Sequence, residues 1–448
     1  AGISRLKVSS DMPVELQHWL ARQLGTSSDD VYASETFLGI NDLMALRVPS
    51  AEHLLTPPHE GADHPRLRRD ADGETGSIFE EIRRGPVLLH HPYHSFESSV
   101  LRFLREAAED PAVVAIKITI YRTSNDSPIM RALIDAARRG KQVAVLVEIT
   151  ARFDEAPNIA WGQMLEREGV HVSYGVEKLK THVKLALVVR DEAGRLRHYA
   201  HVGTGNYHTG TARIYEDIGL LTADTGLCGD VAALFNQLTG ALPPRSFGRL
   251  LVAPHDMRSR FVDLIRREAA HALGGRPARI RAKMSQLQDH ELIRELYKAS
   301  QAGVSISLGV RGLCCLRPGV PGLSENIEVY SVVGRFLEHA RIYEFLDSGE
   351  PCYYLGSADW MKRNLDRRVE SVVPVEDANL KKELGAILDV YDADNCSRWD
   401  CDGDGVYTRR RPAPGEERRS SQEVFLAMVS TTATAAPPRR RTRRARKD

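Results

Sequence analysis

Alternating apolar and polar positions predict a strand in LKTHVKLALVV, residues 179–189. Apolar residues recur at every second position from Val183 to Val189. Because side chains point alternately to the two faces of a strand, His182 and Lys184 share the opposite face. An imidazole and an ammonium group therefore stand side by side on a strand that otherwise looks buried.

Helices and further strands alternate around this stretch. Residues 113–121 and 142–150 are apolar runs that predict buried strands. Between them, a helix is predicted to begin at Ser127 and Pro128, a hydroxyl cap followed by proline, and to end at Gly140. This order of elements is typical of an α/β fold with a largely parallel sheet.

The same order returns in the second half of the chain. Residues 278–285 and 304–312 predict strands on either side of a helix at 290–303, and residues 336–345 predict another strand. We therefore interpret the chain as an internal duplication of units of roughly 150 residues.

The pattern predicts four segments, and an amphipathic helix at 12–24 lies in the first. They are a remnant of a helical domain with a linker (1–85), a first α/β domain (86–247), a second α/β domain (248–408), and a basic disordered tail (409–448).

Composition narrows the function only slightly. The 448 residues carry a net charge of +1, which gives no general argument for binding nucleic acid or membranes. The six cysteines are too few for a disulfide scaffold and favour a reducing, cytoplasmic location.

The duplicated units share a set of polar residues. Each contains a histidine, a cation two residues later, and a turn of small residues that ends in an amide or a carboxylate. The residues are His182, Lys184 and Asn206 in the first unit, and His339, Arg341 and Asp359 in the second. One such histidine would be coincidence, but two matched copies indicate a site.

These residue types suit phosphoryl transfer. A neutral imidazole, with an ordinary pKa of about 6.5, can attack phosphorus and form a covalent phosphohistidine. Lysine and arginine stabilise charge on phosphate oxygens, and Arg122, Arg152 and Arg311 each follow an apolar strand. Asn206 and Asp359 are predicted to orient the two imidazole rings.

Longer strings in the sequence resemble known proteins. The paired histidine motifs resemble the phospholipase D superfamily, and the longer strings narrow the resemblance to the histidine-phosphorylating polyphosphate kinases. These strings are AIKITIYRTSNDSPI, VEITARFDEAPNI, LKTHVKLALVVR, YAHVGTGNYHTGTARIYEDIGLLTAD and LEHARIYEF. The resemblance implies two phospholipase-D-like α/β domains packed face to face, preceded by part of a helical domain and truncated at the N-terminus relative to the family.

The resemblance also implies roles for particular residues. His182 would be the phosphorylated nucleophile, and His339 a second catalytic histidine that also binds ATP. Tyr215 would contact the nucleotide and Arg311 its phosphates. The remaining residues comprise a magnesium–phosphate site and supporting phosphate contacts. They are Arg122 and Arg152 for the former, and Lys184, Asn206, Arg341 and Asp359 for the latter.

The implied partners follow from the family's reaction. ATP or ADP and inorganic polyphosphate would be the substrates, Mg²⁺ the cofactor, and a homodimer or homotetramer the assembly. Specific nucleic acid binding is not expected, and membrane association would be at most peripheral. A basic tunnel for polyphosphate is expected between the domains, with Arg363, Arg367 and Arg368 as candidates for its wall.

Two other functions stay open at this level. A phosphodiesterase of the phospholipase D type would use the same histidines without ATP, although Val189 stands where phospholipases have aspartate. A non-catalytic polyanion-binding protein would use only the positive charge.

Overall fold

The computed structural model describes residues 5–46, 48–68, 76–121, 127–148, 155–176, 178–240 and 246–434. The chain divides into two compact units between Pro58 and His59. In the smaller unit, the parallel strands β1 (Leu6–Ser9) and β2 (Val31–Ser34) are joined through helix α1 (Val14–Gln23), which confirms the predicted amphipathic helix.

The larger unit contains two halves, and the first half is built on a mixed sheet. Its strands are β3 (Val87–His91), β4 (Val113–Ile120), β5 (Gln142–Val147), β6 (His171–Tyr174), β7 (Lys180–Thr181), β8 (Leu185–Glu192), β9 (Arg195–Gly203) and β10 (Tyr215–Thr222). Its helices are α2 (Ile78–Arg84), α3 (Arg102–Glu109), α4 (Pro128–Arg138), α5 (Glu155–Arg167) and α6 (Thr225–Gly240).

The second half repeats this arrangement. Its strands are β11 (Leu251–Ala253), β12 (Arg279–Met284), β13 (Ser305–Val310), β14 (Ile327–Val332), β15 (Leu337–Glu338), β16 (Ile342–Phe345), β17 (Cys352–Gly356), β18 (Arg368–Val375), β19 (Arg398–Cys401) and β20 (Tyr407–Arg409). Its helices are α7 (Met257–Leu273), α8 (His290–Gln301), α9 (Lys362–Arg367), α10 (Ala378–Asp392) and α11 (Ser421–Thr434).

Local sequence signals explain several of these boundaries. The Ser127 hydroxyl accepts a hydrogen bond from the backbone N–H of Met130 and caps α4, as predicted. Gly140, with φ of +80°, follows the end of this helix. The equivalent helix α8 is capped by Asp289, which accepts from the backbone N–H of Leu292.

The order of strands confirms the duplication. The first sheet runs β3-β10-β9-β8-β4-β5-β6, and the second runs β11-β18-β17-β16-β12-β13-β14 before β19 and β20. The prediction of a largely parallel sheet is wrong, because only β4-β5-β6 and β12-β13-β14 pair in parallel. The hairpin between β8 and β9 has a two-residue turn, Ala193 and Gly194, whose positive φ angles favour antiparallel pairing.

The two halves share one hydrophobic core. Leu185 and Leu220 of the first half pack in the same cluster as Ile342 and Leu355 of the second. Each half also has a core of its own. The sheets therefore pack face to face across buried apolar surface, and residues at this seam are held by both halves. Among the described residues, no helix is long and apolar enough to cross a bilayer.

Two predicted segment boundaries need correction. Helix α2, which the prediction placed before residue 86, buries Ile78 and Phe79 in the core of the first half. Helix α11 lies in the segment predicted to be disordered from residue 409, and that prediction is wrong for residues 421–434. Phe425 is only 3% exposed and contacts the rings of Tyr93 and Tyr391, because a short apolar run finds a partner surface despite its basic surroundings.

Candidate active site

Each predicted histidine follows a short strand that joins the sheet of the opposite half. Strand β7 pairs with β18, and the His182 N–H donates to the Val369 carbonyl at 2.9 Å. In the same way β15 pairs with β10, and the His339 N–H donates to the Glu216 carbonyl at 3.0 Å. This exchange places both histidines at the seam between the halves.

The ring of His182 is oriented by a carboxylate from the other half. Its Nδ1 lies 2.9 Å from Oε2 of Glu370, and that oxygen also accepts a hydrogen bond from the Ser357 hydroxyl. The ring of Tyr121 packs edge-on against the imidazole at 5.1 Å between centroids. These contacts fix one ring orientation, with Nδ1 toward Glu370.

His339 has the equivalent partners. Its Nδ1 lies 2.8 Å from Oδ1 of Asp217, which accepts a hydrogen bond from the Thr204 hydroxyl at 2.6 Å. The ring of Tyr215 lies 5.3 Å from the His339 ring, beside the position predicted to bind a nucleotide. A side chain at Gly205 would collide with Asp217, since an added Cβ would lie 2.3 Å from the Asp217 carboxylate.

The prediction that Asn206 and Asp359 orient the rings is wrong. Asp359 pairs with Arg341, and the Asn206 side-chain oxygen is buried with no hydrogen-bond partner in the described structure. The sequence did contain a signal for the real partners. Asp217 and Glu370 each lie 13 residues after the hydroxyl that holds them.

Both imidazoles are kept neutral. Burial lowers the pKa of His182 well below its usual value, and the nearby charges of Lys184, Arg368 and Arg341 lower it further. Burial, followed by Arg341, also lowers the pKa of His339, although Asp217 opposes this. A neutral ring whose Nδ1–H donates to a carboxylate keeps its lone pair on Nε2, where it can act as a nucleophile or a base.

The two predicted cations beside the histidines are fixed by the backbone. Lys184 is 1% exposed, and its ammonium donates to the His182 carbonyl. Burial lowers the pKa of Lys184 to about 7, with Glu370 opposing this shift. Arg341 donates to the His339 carbonyl at 2.6 Å and forms a two-pronged pair with Asp359 at 3.0 and 3.1 Å.

Two other arginines have unused donors. The Nε–H groups of Arg311 and Arg368 are buried and have no hydrogen-bond partner in the described structure. Burial lowers the pKa of Arg311, and neighbouring Arg341 lowers it further. Buried donors without partners are unusual in proteins, so these groups suit an anion that carries several oxygen acceptors. Of the predicted tunnel residues, Arg368 lies at this site, and Arg363 and Arg367 lie exposed on α9.

Two predicted site residues cannot be placed. Arg122 and Arg152 lie outside the described residues. One possible metal cluster elsewhere consists of Glu268, His271 and Asp347, whose ligand atoms lie within 4.8 Å of one another. These atoms already hydrogen bond to one another and to neighbouring donors, and Asp347 follows the far end of β16. The cluster therefore is not the predicted magnesium–phosphate site.

A buried ionic network supports His339 from behind. Lys283 bridges Glu216 and Glu338 at 2.5 and 2.8 Å, and Gln422 of α11 donates to Glu338 at 2.6 Å. Gln422 also accepts from the backbone N–H of Phe336 and donates to its carbonyl, both at 2.9 Å. The sequence analysis missed this network, because its members come from four separate segments of the chain.

The comparisons with known proteins agree with this geometry. Residues 77–243 match the family description "Polyphosphate kinase C-terminal domain 1", and residues 250–422 match "Polyphosphate kinase C-terminal domain 2". The polyphosphate kinase of Thermosynechococcus vestitus is 48% identical over 445 residues, which cover 95% of this chain and 61% of that protein. The Synechocystis polyphosphate kinase is 51% identical, with 94% and 60% covered.

A solved structure extends the likeness to the fold. The crystal structure of the Porphyromonas gingivalis polyphosphate kinase superposes with a TM-score of 0.84 at 35% identity, covering 96% of this chain and 65% of that one. The predicted fold, two phospholipase-D-like α/β domains facing each other, is confirmed. The chain spans about three fifths of the length of the curated relatives named here. With both domain descriptions matched in order, the chain belongs to the polyphosphate kinase family.

Proposed function

We propose that this chain transfers the γ-phosphoryl group of ATP reversibly to inorganic polyphosphate, through a phosphohistidine on His182. One observation carries the proposal. A neutral His182, whose Nδ1 is held by Glu370, lies at a seam with Arg311 and Arg368, which have buried donors without partners. This combination suits a nucleophile that attacks a phosphorus atom surrounded by charged oxygens.

In the first step, Nε2 of His182 attacks the γ-phosphorus. The bond from phosphorus to the β–γ bridging oxygen breaks, and ADP leaves with that electron pair. The phosphorylated ring becomes cationic, and its Nδ1–H stays hydrogen bonded to the Glu370 carboxylate. In the second step, a terminal oxygen of polyphosphate attacks the phosphorus and the P–N bond breaks, which returns His182 to its neutral form.

The neighbouring residues divide the remaining work. Lys184, Arg341 and Arg368 supply positive charge toward the transferring group, and Arg311 supplies a free donor for ATP phosphates. His339, held by Asp217, gives or takes a proton at the nucleotide, and Tyr215 contacts the base.

Magnesium would enter this site with the nucleotide. The described carboxylates next to the histidines are already committed, Asp217 and Glu370 to the rings and Asp359 to Arg341. Mg²⁺ would therefore be held through phosphate oxygens, where it would neutralise part of their charge. The roles of Arg122 and Arg152 there, the homodimer or homotetramer and the cytoplasmic location stay predictions.

The proposal is tested by isotope transfer. The chain is incubated with γ-³²P-ATP and Mg²⁺, with the Synechocystis polyphosphate kinase as a positive control. We expect acid-labile, base-stable label that maps to His182 and chases into polyphosphate. Absence of label together with cleavage of a phosphodiester would favour the phosphodiesterase function. Absence of both, while the control is labelled, would leave polyanion binding as the better account.

The Glu370→Gln variant tests the orientation of the nucleophile. An amide can donate to Nδ1 and so favour the tautomer that carries its proton on Nε2, which removes the nucleophilic lone pair. We expect the rate of His182 labelling to fall by about 10²–10⁴-fold, with unchanged nucleotide affinity. Glu370→Asp, which keeps the carboxylate, should recover part of the rate. Equal losses in both variants would indicate that Glu370 serves only the fold.

A further inference from the structure

A cavity of about 300 Å³ lies behind the active site, between helices α10 and α11. We call it the α10–α11 cavity. Its walls are mostly apolar and include Tyr93, Ile387, Phe425 and Met428. Its volume is at the lower end of the range of small-molecule sites, and its apolar walls are typical of them.

One acid interrupts the apolar walls. Glu383 of α10 lines the cavity and forms no hydrogen bond or ion pair with any described residue. Burial raises the pKa of Glu383 to about 7. A carboxyl group in apolar surroundings is stabilised when a partner brings a positive charge or a hydrogen-bond donor.

The histidines in the wall do not compete for that role. The Nδ1 atoms of His64 and His94 each accept a backbone N–H, at 3.2 and 3.1 Å. Burial lowers the pKa of His64 to about 4 and that of His94 well below its usual value, so both rings are neutral. They therefore offer N–H donors at Nε2 rather than metal-binding lone pairs, and add no positive charge that would repel a cation.

Aromatic side chains complete a site for a cation. Tyr93 and Phe425 both line the cavity, with ring centroids 5.1 Å apart, and the Tyr93 hydroxyl is buried without a partner in the described structure. Aromatic faces attract ammonium groups, and the attraction grows when water is excluded. We propose that the α10–α11 cavity binds a small apolar molecule with a single ammonium group, which pairs with Glu383.

The position of the cavity gives its occupancy a consequence. His90 also lines the wall, and its Nε2 lies 2.7 Å from Oε1 of Glu216. Glu216 accepts the backbone hydrogen bond of His339 and the salt bridge of Lys283. An occupant that touches His90 therefore contacts the network that positions His339.

Calorimetric titration with phenethylamine tests the proposal without any dependence on phosphoryl transfer. We expect saturable 1:1 binding to the wild-type chain. Glu383→Gln should weaken it by about tenfold or more, because an ionic hydrogen bond is replaced by a neutral one. The uncharged analogue 2-phenylethanol should bind wild type and Glu383→Gln equally.

Two further variants exclude indirect effects. Ala386→Leu, which fills the cavity, should abolish binding of both compounds, while Glu350→Gln at an exposed position should bind phenethylamine like wild type. All variants are checked for unchanged melting temperature. Absence of saturable binding, or binding that neither Glu383→Gln nor Ala386→Leu alters, would overturn the proposal.

Discussion

The His182→Gln variant is expected to lose all phosphoryl transfer while keeping its fold. Glutamine is similar in size and can still hydrogen bond to Glu370, so the buried carboxylate keeps a partner. It has no ring nitrogen that can attack phosphorus. We therefore expect neither acid-labile label nor polyphosphate from γ-³²P-ATP, at a melting temperature close to that of wild type.

Matched variants separate this chemical role from a general effect of losing a histidine. His198→Gln changes a half-buried histidine on β9 and should leave labelling unchanged. His339→Gln should reduce transfer by about 10²–10⁴-fold, as expected for a lost proton donor or acceptor, and still allow slow labelling of His182. Label on His182→Gln at the wild-type rate would mean that another residue is the nucleophile.

The sequence predicted most of the site, because the duplication marks its residues twice. A histidine and a cation on one strand face recur in both units, and the structure brings His182 and His339 to one seam. The pKa of His182 is lowered partly by His339 itself, which places the two rings in the same electrostatic environment. Period-two alternation was sufficient here, because burial on one face fixes which side chains share the other.

The partners of the histidines could not be predicted from local pattern. Asp217 belongs to the first half but orients His339 of the second, and Glu370 does the reverse for His182. Pairing of short strands β7 and β15 with the opposite sheets creates these contacts. Such exchange depends on how two domains dock, which neither strand periodicity nor motif spacing reveals.

The hidden charges were missed for a related reason. Lys283 lies in a strand that reads as ordinary alternation, yet it is 5% exposed and lies among Glu216, Glu338 and the ring of Tyr391. Burial opposes its charge, but the two carboxylates outweigh burial and raise the pKa of Lys283. They therefore keep it protonated. The basic composition around α11 likewise concealed that Gln422 completes this network.

Lys283→Met should have the largest effect on stability. Methionine fills a similar volume but leaves two carboxylates buried without their cation, and breaking a buried ion pair in this way costs about 3–5 kcal/mol. We expect a lower urea midpoint and a lower melting temperature. The exposed pair provides the control, because Lys298 is 64% exposed beside Glu295 and Lys298→Met should cost about 1 kcal/mol or less.

The triple variant Lys283→Met, Glu216→Gln and Glu338→Gln distinguishes a charge effect from a packing effect. If the loss arises from unpaired carboxylates, neutralising them should restore much of the stability, since the excess charge is then removed. A triple variant no more stable than Lys283→Met would instead assign the loss to packing around the lysine stem. Restored stability need not restore activity, because Glu216 also donates its backbone carbonyl to the His339 bond and its side chain to the Ala340 N–H. Stability and histidine positioning can therefore be measured separately in one set of variants.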